Sequence, residues 1–141
     1  MIATSGPVVV VEDDEDDHEF MVSVYRQLGI PNELKIFTSG EDVYNYLNTT
    51  SDQPFIIISE VRLQKMDGIE LRKKVLENEK IRRKSIPFVF FTTHADKETV
   101  DAAYELLVQG YFTKKYNEAD MKHVLGQIIN YWKECKHPNN V

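Results

Sequence analysis

Residues 55–68, Phe-Ile-Ile-Ile-Ser-Glu-Val-Arg-Leu-Gln-Lys-Met-Asp-Gly, constrain the fold of this chain more than any other stretch. The run Phe55 to Ile58 has no polar residue to turn toward water, so as a strand it must be buried on both faces. It gives way at once to a carboxylate, Glu60, and the stretch closes on Asp67-Gly68, a turn dipeptide that leads into a helical pattern. Strands covered on both faces belong to open parallel α/β sheets, where ligands bind beyond the carboxyl ends of the strands. Glu60 stands where such a strand runs out. Its significance depends on whether other acids and a cation reach the same edge.

The rest of the chain repeats the alternation. Four valines, Val8 to Val11, read as a buried strand, and six acids follow without a break from Glu12 to Asp17. Phe20, Met21, Val24 and Leu28 share one helical face, which Gly29 and Pro31 end. Leu34 to Ile36 or Phe37 predicts a short second strand, and Ser39 caps a helix carrying Val43, Tyr46 and Leu47. Beyond the central strand, Phe55 to Ser59, a helix is expected from about Gly68 to Asn78, with Lys80 to Lys84 as its solvated cationic end and loop. Ile86 to Phe91 is another continuous apolar run, ending in Thr92-Thr93-His94. Asp96 caps a helix with Val100, Ala103, Tyr104 and Leu107, and Gly110 to Thr113 forms a strand that delivers Lys114. Asn117 caps the last helix, whose apolar stripe runs from Met121 to Trp132; the tail after Lys136 is expected to fray. Five strands alternating with five helices predict a parallel sheet with right-handed crossovers and helices on both faces.

The 141 residues suit one domain, with its core at about residues 7–132 and a tail at 136–141. A net charge of −6 opposes a nucleic-acid groove, which would need a basic face. One cysteine, Cys135, excludes an internal disulfide or a cysteine metal cluster and fits a reducing cytosol. No signal peptide opens the chain, and no run approaches the roughly 20 apolar residues that span a bilayer, so a cytoplasmic protein without membrane contact is expected.

Four of the expected strands end in polar residues of distinct types: Glu12 and Asp13, Glu60, Thr92, and Lys114. On one sheet edge these carboxylates repel unless a cation sits among them, and oxygen-only ligands select a hard ion such as Mg2+. The hydroxyl and the ammonium are suited to the oxygens of a phosphoryl-like group. Any one of these residues alone has an ordinary structural reading, as a helix cap, a strand former or a solvated lysine. Their joint order carries the argument. His94, just past the fourth strand, reads as an exposed loop residue.

In that order and spacing, from about Pro7 to Trp132, the chain resembles the receiver domain of two-component response regulators. Val-Glu-Asp-Asp at 11–14 resembles the family's acidic pair, Thr92-Thr93 its signalling hydroxyl and following small residue, and Gly-Tyr-Phe-Thr-Lys at 110–114 its last strand. Met66-Asp67-Gly68 matches the turn after the phosphorylation loop. The resemblance implies a flavodoxin-like (βα)5 sheet of order 2-1-3-4-5. It implies Mg2+ held by Glu12, Asp13, the residue at 60 and the Arg62 backbone carbonyl, Tyr111 as a switch aromatic, and Lys114 as the phosphate-pairing cation. It also implies a signalling module rather than an enzyme. Contacts with a sensor kinase or a downstream protein would use the face formed by the 96–107 helix, the last strand and the last helix, in a monomer or weak homodimer.

Three positions depart from the family pattern. The phosphoaccepting aspartate falls on Glu60, the proline four residues later is Gln64, and the proline after the lysine is Lys115. The extra methylene of Glu60 pushes its carboxylate toward the place of a metal or phosphoryl group, and such sites tolerate displacement poorly. A phosphorylation-independent, active-like module is therefore expected. The alternative is a conventional phosphoaccepting regulator. A Mg2+-dependent phosphohydrolase or flavodoxin-like binding protein would share the sheet, but no Asp nucleophile stands on the central strand and no Ser/Thr/Gly-rich phosphate loop follows the first. Since the sequence ends soon after the last helix, output is expected through a partner protein.

Overall fold

Strand formation follows the three apolar runs. The computed structural model describes residues 3–140, so Met1, Ile2 and Val141 lie outside it, with part of the segment read as lacking a signal peptide. Five strands, β1 (Val8–Val11), β2 (Leu34–Phe37), β3 (Ile56–Ser59), β4 (Phe88–Thr92) and β5 (Gly110–Thr113), form one parallel sheet in the order β2-β1-β3-β4-β5. The connecting helices are α1 (Glu15–Gln27), α2 (Gly40–Thr49), α3 (Gly68–Glu77), α4 (Glu79–Arg82), α5 (Lys97–Glu105) and α6 (Glu118–Glu134). The expected flavodoxin-like architecture and strand order are those observed.

Strand alternation sorts the core into two layers. Val9, Val11, Ile57, Phe88 and Phe90 face Val43, Leu47, Leu71 and Val75 of α2 and α3. Val8, Val10, Ile56, Ile58, Val89 and Phe91 face Val24, Met21, Leu125 and Ile128 of α1 and α6. β1, β3 and β4 are buried along their whole length, which is why their sequences show no polar alternation. The caps read from the sequence are formed: the side chains of Ser39, Asp96 and Asn117 accept from the amides of Asp42, Thr99 and Asp120.

Four details differ from the sequence reading. β4 starts at Phe88, because Pro87 has no N–H to give to the ladder and the Phe88 amide is taken by Gln109 Oε1 at 2.8 Å. Part of the cationic stretch is a sixth helix, α4, capped by Asn78; its lysines do not simply float, since Lys80 Nζ bonds Asn48 O and Lys84 Nζ bonds Asp52 O. Leu107 is not on the buried face of α5. It lies past the helix end, 68% exposed, at φ 60°. The tail is docked rather than frayed: His137 Nε2 meets Ser85 O, Asn139 Nδ2 donates to Gln53 Oε1, and Asn140 bonds Ala3 and Thr4.

Candidate functional site

The ladder runs one residue past the strand ends and so aligns the polar residues there. Glu12 N bonds Phe37 O, Glu60 N bonds Val11 O, and Lys114 N bonds Thr92 O, each at 2.9 Å. The loop after β3 is folded tightly over Gly68, whose amide bonds Val61 O at 2.7 Å. A Cβ on Gly68 would lie 2.4 Å from the Glu60 carbonyl oxygen, so only glycine permits this approach.

Lys114 is the centre of the cluster. Its ammonium stands 2.6 Å from Glu12 Oε1, 2.6 Å from Asp17 Oδ2 and 2.8 Å from Glu60 Oε1, with its side chain only 10% exposed. Burial alone would lower the Lys114 pKa, but its bonds to Asp17, Glu12 and Glu60 more than reverse that and raise it. Glu12 keeps its Oε2 on the Asp14 amide at 3.1 Å, and burial holds its carboxyl above the ordinary value despite Lys114. Glu60 behaves oppositely. Burial would raise it, yet bonds from Lys114, the Thr92 hydroxyl and the Arg62 amide together bring it below the ordinary value. Its Oε2 also accepts from Val61 N at 2.5 Å and Arg62 N at 3.1 Å, so the carboxylate is folded onto its own loop.

The structure thus brings Glu12, Glu60, Thr92 and Lys114 together as expected. Asp13 lies beside them with its carboxylate turned to the Gln64 amide at 3.2 Å. Arg62 enters through its amide, which donates to Glu60 Oε2. Thr93 is exposed, and so is His94, which contributes backbone: its amide donates to Thr92 Oγ1 at 3.2 Å and its carbonyl accepts the Tyr111 hydroxyl. Tyr111 is half-buried, packed at 5.9 Å from the Phe90 ring. Asp17 was missed. One of six consecutive acids, it stands in the first turn of α1, where its carboxylate reaches Lys114.

The donor set is of the oxygen type that hard cations take, but it is engaged otherwise. Lys114 gathers the carboxylates of Glu12, Asp17 and Glu60, and backbone amides hold Glu12 and Glu60 further. The expected Mg2+ ligands Glu12 and Glu60 are paired with Lys114 in this arrangement.

The sequence model of the response regulator receiver domain matches residues 8–126. The chain belongs to this family. Receiver domains are signalling modules. The chain is 30% identical over 132 residues to the response regulator Rcp1 of Synechocystis, covering 90% of this chain and 88% of that protein. It is 27% identical to the DNA-binding transcriptional regulator NtrC of Proteus hauseri over 96% of its own length, but spans only 27% of that protein. The fold superposes on the Mn2+-bound form of Rcp1 with a TM-score of 0.78 and 28% identity, covering 94% of this receiver domain and 97% of that chain. No helix among the described residues is long and apolar enough to cross a membrane.

Proposed function

We propose that this chain is a receiver-type signalling module whose acid site works without an acyl phosphate, with Glu60 in the acceptor's place. One observation carries the reading: the Glu60 carboxylate lies 2.8 Å from the Lys114 ammonium, the cation that would otherwise pair with a phosphoryl group. Tyr111, half-buried with its hydroxyl on the His94 carbonyl, supports an active-like state of the β4–α5 loop. The imitation is partial. A glutamate offers one charge and two oxygens where a phosphoryl group carries about −1.5 to −2 and three.

Output then passes to a protein partner, a sensor kinase or a downstream protein, on the face formed by α5, β5 and α6. Tyr104, Leu107 and Tyr116 support this face, being large apolar side chains left 51%, 68% and 62% exposed. Residues 7–132 form the working core, as a monomer or weak homodimer in the cytoplasm. Mg2+ has to compete with Lys114 for Glu12 and Glu60, which weakens its hold relative to a site with a free carboxylate pair.

The test is incubation with acetyl phosphate or phosphoramidate and Mg2+, read by intact-protein mass, on the wild type, Glu60→Asp and Glu60→Gln. The expected result is no adduct on the wild type and a labile adduct on Glu60→Asp. A wild-type adduct that disappears in Glu60→Gln would restore a conventional phosphoaccepting regulator. Absence of an adduct on every form would show that the site is altered beyond Glu60.

A further inference from the structure

At the opposite edge of the sheet, α3 buries a cation that the acid site does not use. Arg72 is 4% exposed; its Nε donates to Leu106 O at 2.9 Å and its Nη2 to Leu107 O at 2.8 Å. The guanidinium faces the Phe88 ring at 5.2 Å, and among the described residues no carboxylate lies within ion-pair distance of it. Burial lowers its pKa to about 10. A buried charge is costly unless an opposite charge meets it, and the carbonyl end of α5 supplies only a partial one.

Arg72 also lines a pocket of about 300 Å3, near the lower end of the range for small-molecule sites. The buried side chains of Val75, Ile81 and Ile86 give this pocket an apolar floor. Arg82 and Gln109 add donors, and none of the lining residues is acidic, in a chain whose net charge is −6. The carbonyl end of Gln109 is fixed on the Phe88 amide, which leaves its NH2 end for a ligand. The pocket is bordered by Ser85 and Leu107, at φ 53° and 60°, a backbone region that residues other than glycine seldom adopt.

We propose that this pocket binds a small organic acid, its carboxylate between the Arg72 and Arg82 guanidiniums and its apolar stem over Val75, Ile81 and Ile86. The two carbonyls take the Nε hydrogen and one Nη2 hydrogen of Arg72, which leaves the Nη1–Nη2 edge for two parallel N–H bonds to a carboxylate. Because the same guanidinium closes the end of α5, occupancy is felt at the Leu106 and Leu107 carbonyls.

The experiment is a titration of the 15N-labelled full chain with hexanoate at fixed ionic strength, followed by amide shifts, with hexanamide as the uncharged control. Arg82→Glu is the variant, since this exposed side chain bonds only the Leu76 carbonyl and its loss leaves the fold in place. The expected result is saturable shifts confined to residues 72–86 and 106–109, with binding at least about tenfold weaker for hexanamide and for Arg82→Glu. Absence of saturable shifts with hexanoate overturns the proposal. So does hexanamide binding equally well, or an Arg82→Glu chain that binds hexanoate unchanged.

Discussion

Gly68 and Tyr25 show how single side chains set the limits of this molecule. Adding a methyl at Gly68 drives it into the Glu60 carbonyl and, at 2.7 Å, into the Phe90 ring. Gly68→Ala should therefore destabilise by about 1–3 kcal/mol, the usual range for an overfilled site, seen as a lower urea midpoint. A midpoint unchanged from the wild type would mean that the loop after β3 can yield. Tyr25, buried with its hydroxyl on the Asn32 carbonyl at 2.7 Å, has its pKa pushed up to about 12 by burial. The native state thus keeps a phenol proton that the unfolded chain gives up near its ordinary value of 10.0. The stabilisation is full below pH 10 and falls as pH rises toward 12. In Tyr25→Phe the fall in melting temperature between those limits should be shallower than in the wild type. Parallel curves would assign the alkaline loss to other groups.

Among the elements, the short α4 depends on one side chain. Asn78 ends α3 and begins α4: its Oδ1 accepts from Ile81 N at 3.1 Å, while its Nδ2 donates to Tyr44 Oη and Asn48 Oδ1 on α2. Asn78→Ala removes a cap and leaves partners on α2 unmet, an expected loss of about 1–2 kcal/mol in chemical denaturation. A loss no larger than that of an exposed Lys→Ala change would show that α4 holds without its cap. This element also marks where sequence reading stops. The strands are legible because Val8–Val11, Phe55–Ile58 and Ile86–Phe91 pass abruptly from apolar to polar, which puts Glu12, Glu60 and Thr92 on one edge from the sequence alone. Four residues of α4 are too few for a period, and only Ile81 among them is buried. Asp17 was hidden for a related reason: within an unbroken acid run, only the rotation of α1 tells which carboxylate turns inward.

Over the whole molecule, polar bonds rather than apolar periodicity hold the last residues. Asn139 and Asn140 bind Gln53, Ala3 and Thr4, and Lys133 reaches Thr4 O at 2.7 Å and Asn32 Oδ1 at 2.6 Å. Removing residues 137–141 should lower the melting temperature by a few degrees, at about 2–4 °C per kcal/mol lost, and leave the amide shifts of Glu12, Glu60 and Lys114 in place. Shifts spreading to those residues would mean that the two ends of the sheet are coupled. The two ends of the described chain meet through the Ala3 amide and the Asn140 side chain, at the amino ends of the strands and away from Lys114. A fluorophore, a surface linker or a second protein joined near either end therefore hangs from one pole. The acid edge is presented outward whichever end carries the tether.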